Sequence, residues 1–256
     1  MTKITIHRNI TEDVPEQLQT ASIRNFPGLR AYWLFGKTVA NNSIIPLEAG
    51  YSFDLERFSG LIYANHRASY FNMTSHYCIE PSSISVGQEL NISGLEGSVV
   101  STDRGLTMGA WLRTADFSGT NMDIAGKFSI VSNRRSYVLR INTANKPTFI
   151  VSSSGTDTVA VTGDALSTQT WYFMVGKFDP STELRLFVNG QWYSQTGSVP
   201  SRLYTTNPAR FTVGASDEGT GKFFLGHIQS VFVCNMLVPD VDIEDYYNSV
   251  KSWYGL

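Results

Sequence analysis

The sequence predicts an all-β antiparallel sandwich with one short C-terminal helix. Three observations carry that expectation: short apolar runs alternating with period two from Gly28 onward, turn residues at the spacing of antiparallel sheets, and a single helical periodicity near the C-terminus. A content of 42% hydrophobic and 12% aromatic residues supplies enough apolar surface for a core. The length of 256 residues suits one large sandwich with an extension.

Residues 1–27 hold one alternating run, Lys3 to His7, and then a polar stretch with Pro15, Gln17, Gln19 and Pro27, so they read as an N-terminal arm. The domain proper runs from 28 to 256. Strands are predicted at Leu29 to Phe35, Gly60 to Asn65, Leu106 to Arg113, Met122 to Lys127, Tyr137 to Ile141, Pro147 to Ser152, Ala209 to Val213 and Phe223 to Cys234. Residues 41–100, with aromatics scattered among turn residues, read as an ordered but irregular elaboration. The clearest section is TWYFMVGKF, DPST, ELRLFV, Asn189-Gly190 and QWYSQT, a β-meander. Asn-Gly between alternating runs is a strong hairpin signal, because both central residues of a type I′ turn need positive φ. After Pro239, the segment DVDIEDYYNSVKSWY places Ile243, Tyr246, Tyr247, Val250 and Tyr254 on one helical face, with acidic residues in the first turns to complement the dipole. It predicts an amphipathic helix lying on a sheet.

Charged residues make up only 16%, and 20 basic against 22 acidic side chains leave a net charge of -2. Without a basic cluster there is no electrostatic footprint for nucleic acid or for an anionic membrane, and neither is expected as a partner. Cys78 and Cys234 either form one long-loop bridge or, the favoured alternative, stay unpaired as small buried hydrophobes. The N-terminus has no apolar secretion signal, so the sequons at Asn9, Asn41, Asn72 and Asn91 are read as chance.

In order along the chain, the segments GLRAYWLF, GLTMGAWLRT, DIAGKF with SYVLRI, TWYFMVGKFDPSTELRLFVNGQW, ARFTVGAS and FLGHIQSVFVCNMLVPDVDIEDYY resemble the strands of the laminin-G-like, concanavalin A-like lectin/glucanase family. The resemblance runs from about Gly28 to Tyr254 and implies a jelly roll. Trp111 and Trp171 are then inward packing anchors, and Gly226 permits close strand approach. Where the family carries paired aspartates after its "G-x-I" motif, this chain has Gln229-Ser230.

Jelly-roll glycosidases carry E-x-D-x-x-E, whose alternation sets carboxylates on one strand face. The nearest groupings here, Asp54-Leu55-Glu56 and Asp242-Ile243-Glu244, do not have that spacing. Isolated histidines at 7, 66, 76 and 227 offer no zinc pattern, and there is no GxSxG elbow or P-loop. No catalytic residue is assigned and the chain is not expected to be an enzyme. The resemblance raises calcium as the one cofactor to ask about, with Asp116, Asn121, Asp123 and Asp217 as loop donors. Asp and Asn stabilise turns in any case, so no metal is assigned. A sugar would need aromatics beside amide or carboxylate groups, and Trp192, Tyr193, Tyr204 and Asn207 form the candidate ligand-binding set. Alternation sends Trp192 and Tyr193 to opposite faces.

The expected function is a structural or adhesion protein, first of all a bacteriophage virion component: a capsid decoration or tail-associated subunit made in the host cytoplasm and displayed on the virion surface. The absence of an export signal from a fold usually displayed outside cells motivates it. Partners would be other virion proteins or further copies of the chain, with a trimer favoured by analogy. The alternative is a carbohydrate-binding lectin module, calcium-assisted or not, that binds cell-surface glycans.

Overall fold

The computed structural model describes residues 23, 25–35, 43–44, 55–58, 62–64, 68–75, 77–79 and 105–256. In β7 (Leu106–Thr114), Leu106, Met108, Ala110 and Leu112 pack into the core between two sheets, while Trp111 packs on the opposite face of its own sheet. The same alternation in β12 (Trp171–Asp179) sends Met174 and Phe178 inward and Phe173 and Val175 outward. Strand periodicity therefore holds, but both faces of these strands are apolar, which is the signature of a sheet covered on both sides.

Sheet A orders as β14 (Gln191–Gln195), β13 (Glu183–Val188), β12, β7, β16 (Leu225–Cys234), β5 (Ala68–Asn72) and β4 (Ile62–Ala64). Its eighth strand, β1 (Leu29–Leu34), shares an edge of β16 with β5. Leu225–Ile228 pair with β5, Ser230–Cys234 pair with β1, and a bulge between Ile228 and Ser230 separates the two stretches on the β7 side. Sheet B orders as β11 (Val159–Thr162), β10 (Pro147–Val151), β9 (Tyr137–Ile141), β8 (Met122–Lys127), β15 (Thr212–Val213), β6 (Tyr77–Ile79), β3 (Leu55–Phe58) and β2 (Ser43–Ile44). All pairings are antiparallel, and the two sheets form a jelly-roll sandwich with Trp33, Phe149, Phe211 and Phe224 among the residues between them.

The β12–β13–β14 meander forms as the sequence predicts. Asn189 and Gly190 have φ of 46° and 96°, as the I′ turn requires. Asn189 also stitches the turn to β12: its Oδ1 accepts from the Phe173 N–H at 2.7 Å and its Nδ2 donates to the Trp171 carbonyl at 2.9 Å. Residues 41–100, read as irregular, contribute β2 to β6, and β11 also lies outside the predicted strands. The run from Lys3 to His7 lies outside the described residues.

Helix α1 (Asp240–Val250) continues as a 3-10 turn over Lys251–Tyr254 and buries Ile243, Tyr246, Tyr247, Val250 and Tyr254, the face its periodicity marks. It covers the outer face of sheet A, and this corrects the expected orientation of the tryptophans. Trp111 points away from the inter-sheet core and stacks on Tyr254 at 3.7 Å and 11°, and Trp171 leans on the same ring. The physical reason is that the helix builds a second core, so an outward strand position is as buried as an inward one. Ile23 and Phe26 join it from the end of the arm, Phe26 lying edge-on to Phe232 and Tyr246. Cys78 belongs to the inter-sheet core and Cys234 to the helix-side core, so the two cysteines form no disulfide and are separated by sheet A. Burial pushes the Cys234 thiol and the Tyr246 hydroxyl far above their ordinary ranges, and both stay neutral.

Candidate functional site

Cross-strand register arranges the outward residues of sheet A in rows, and α1 lies over the middle ones. Lys177 and Arg185 are register partners on β12 and β13, and both donate to the carboxylate of Asp240, the first residue of α1. The Arg185 guanidinium also lies 4.2 Å over the Trp192 ring, whose Nε1 donates to Glu244 at 2.7 Å. Lys177, Asp179, Glu183, Arg185, Leu237 and Asp240 line a cleft of about 280 Å³ here. Each cation in it faces an acid, so the cluster ties the start of the helix to the sheet and leaves no unpaired cation for a ligand.

Beyond the other end of α1 runs a different row. Trp171 on β12, Arg113 on β7, His227 on β16 and Tyr70 on β5 are consecutive register partners across four adjacent strands. Three strand spacings make the row ~14 Å long. All four residues are half-buried. Arg113 Nε donates to the Gln169 carbonyl at 3.0 Å, and among the described residues no carboxylate pairs with the guanidinium. The Tyr70 and His227 rings lie 5.2 Å apart. Burial, and then the positive charge of Arg113, holds the His227 imidazole below its ordinary pKa, and its Nδ1 has no hydrogen-bond partner. Gly226 makes the arrangement possible: its φ is 144°, and a Cβ there would sit 2.2 Å from the Arg113 carbonyl oxygen.

The four residues singled out in sequence occupy three environments. Trp192 faces α1 as described, while Tyr193 points to the opposite face against the inter-sheet core, its hydroxyl donating to Asp164 at 3.0 Å. Tyr204 is half-buried beside the end of β10, where its N–H donates to the Ser152 carbonyl, and Asn207 is exposed with its carbonyl accepting from Arg134. Among the calcium candidates, Asp123 is fully buried and accepts both arms of Arg140 at 2.6 and 2.8 Å. Asp217 accepts from the Ile130 N–H and from Lys222, and Asp116 accepts from the N–H of its neighbour Phe117. Asn121 is half-buried near them in the chain. Neither Arg113 nor His227 was legible as a site residue, because nothing local marks them and only the strand order joins them.

The two-sheet sandwich recurs in solved structures. The receptor binding domain of botulinum neurotoxin C/D mosaic serotype is 12% identical with a TM-score of 0.62, over 87% of this chain and 51% of that one. The botulinum neurotoxin serotype D ligand binding domain in complex with N-acetylneuraminic acid is 11% identical with a TM-score of 0.59, over 89% and 52%. A third, a botulinum neurotoxin type C structure whose cell entry depends on interaction with two ganglioside molecules, is 11% identical with a TM-score of 0.59, over 90% and 53%. The chain thus spans about half the length of these structures, and at such identity they share its fold. No curated protein matches the sequence. A family model does match, over residues 89–243, from just before β7 into α1 and across more than half of the chain. By that match and by the sandwich it folds into, this chain belongs to the concanavalin A-like lectin/glucanases superfamily.

Proposed function

We propose that the chain is a non-catalytic, lectin-type domain that binds glycans on the outer face of sheet A, beyond the end of α1. The observation that carries this reading is the row Trp171, Arg113, His227, Tyr70: two half-buried aromatic rings flank hydrogen-bonding groups on a rigid four-strand platform. Aromatic faces bind the C–H faces of sugars, and the polar groups between them select hydroxyls or charges. The superfamily supports it, as do neighbours of the same fold that are receptor or ligand binding domains. The test is a glycan array on the full chain, with Tyr70→Ala and Trp171→Ala variants checked for folding. Loss of about tenfold in affinity in either variant is expected from one lost stacking contact. Binding that survives both substitutions places the glycan elsewhere.

A second reading, an adhesion or assembly subunit such as a virion decoration, is favoured by Ile130 and Val131, which are 47% and 61% exposed. They project from the β8–β9 loop, braced by Asp217. A contiguous apolar tip held in solvent suits contact with another copy of the chain. Light scattering of the full chain beside an Ile130→Ser, Val131→Ser double variant separates the readings: an oligomer lost in the variant supports assembly, and a monomer in both leaves the lectin reading alone.

A further inference from the structure

We infer that the glycan this row accepts is an acidic one, held through a sugar carboxylate by Arg113, an inference that rests on the lectin reading above. Arg113 projects from near the end of β7, an interior strand of sheet A, on a sheet face where a half-buried cation ordinarily needs a counter-ion. Three other arginines have one, Arg134 pairing with Glu218 at 2.7 Å, Arg140 with Asp123 and Arg185 with Asp240, while Arg135 is met by the carbonyls of Gly155 and Thr156. Among the described residues Arg113 has a single polar contact, from Nε to the Gln169 carbonyl, and that contact fixes the plane of the guanidinium while leaving both terminal nitrogens to donate. Gln169 is itself held, its N–H donating to the Thr114 carbonyl and its Nε2 to the Ala115 carbonyl at 2.8 Å. The fork is therefore pre-oriented, and a planar carboxylate is an anion whose two oxygens match it.

The surroundings favour the same ligand class. His227, the cross-strand partner of Arg113, and the ring of Tyr70 beside it add no negative charge next to the guanidinium. Trp171 at one end of the row and Tyr70 at the other give apolar faces to the ring carbons of the sugar that carries the carboxylate. A fully apolar acid would leave His227 Nδ1 without a polar counterpart, whereas a sugar hydroxyl supplies one. Uronic and sialic acids combine the required features.

The experiment uses the full chain and matched probes: uronic-acid oligosaccharides against their carboxyl-reduced hexose counterparts, and sialyllactose against lactose and sulfated lactose. The expected result is at least tenfold tighter binding of the carboxylated member of each pair, lost in Arg113→Gln and kept in Arg135→Ala, whose guanidinium donates to the Gly155 and Thr156 carbonyls elsewhere on the surface. Arg113→Lys, which keeps the charge without the fork, is expected to recover only part of the preference. Equal binding of acidic and neutral probes overturns the inference and leaves the lectin reading standing. A preference for sulfate over carboxylate, or a carboxylate preference that survives Arg113→Gln, also overturns it. Binding of no glycan at all overturns both.

Discussion

At one end of α1, sheet A presents Lys177 and Arg185 to the carboxylate of Asp240; past the other end, it presents Arg113 to no acid among the described residues. The same outer face of the same sheet thus carries cations with opposite fates. Where the helix supplies the acid, the cluster acts as a clamp on the fold. Where the helix has ended, the guanidinium is held in place by a backbone carbonyl, and no carboxylate among the described residues pairs with it. Charge and aromatic content alone do not distinguish the two regions, because the Trp192 ring covers Arg185 and Trp171 is the register partner of Arg113. What distinguishes them is the internal partner.

The comparison can be broken most forcefully at the contact both ends depend on. Trp111→Ala removes the ring that Tyr254, Phe173 and Tyr247 stack against, and should cost about 3–5 kcal/mol in denaturant unfolding while loosening α1 from the sheet. Next in size is Asp240→Ala, which strands Lys177 and Arg185. With Lys177 only 10% exposed and Asp240 32% exposed, a loss of about 1–3 kcal/mol is expected by the same measurement, between the values for buried and surface pairs. Arg113→Gln should do the reverse, changing stability by no more than ~0.5 kcal/mol while abolishing acidic-glycan binding. A large loss of stability in Arg113→Gln would make that arginine a structural residue and erase the contrast.

The smallest effect is in pH dependence. Because the folded state holds the His227 pKa below its unfolded value of 6.5, the unfolded chain binds a proton there more readily. Its contribution is absent above that value and destabilising as pH falls through 6.5 toward the lowered folded pKa. Unfolding midpoints compared at pH 7.5 and 5 should fall less in His227→Gln than in the parent chain. Arg113→Gln should lie between them, since it removes the second cause of the shift and leaves burial in place.

The elements that local periodicity encodes were legible in sequence. The β12–β13–β14 meander, with Asn189-Gly190 at its turn, and the buried stripe of α1 appear where the pattern put them. The direction of Trp111 was not, although its cause is written in the strands: LTMGAWL and WYFMVGKF are apolar at both parities, which a sheet covered on only one face does not need. The site is less legible still. Residues 70, 113, 171 and 227 are each unremarkable in their own segments, and strand order alone makes them neighbours. Trp192, by contrast, stood out by residue type beside a strong turn signal, and the helix it packs against is contributed from fifty residues downstream.

β16 has one further consequence, for how the chain is made. It is the last strand in sequence, yet it sits inside sheet A with β7 along one side and β1 and β5 along the other. A ribosome therefore delivers β1, β5 and β7 long before the strand that joins them exists, and those earlier strands wait with unpaired edges. Assembly of sheet A therefore has to wait for β16, and it is governed by distant pairings and correspondingly slow. Chains cut short before Leu225 lose this joining strand along with α1, and so should collect as aggregates rather than as a smaller folded domain.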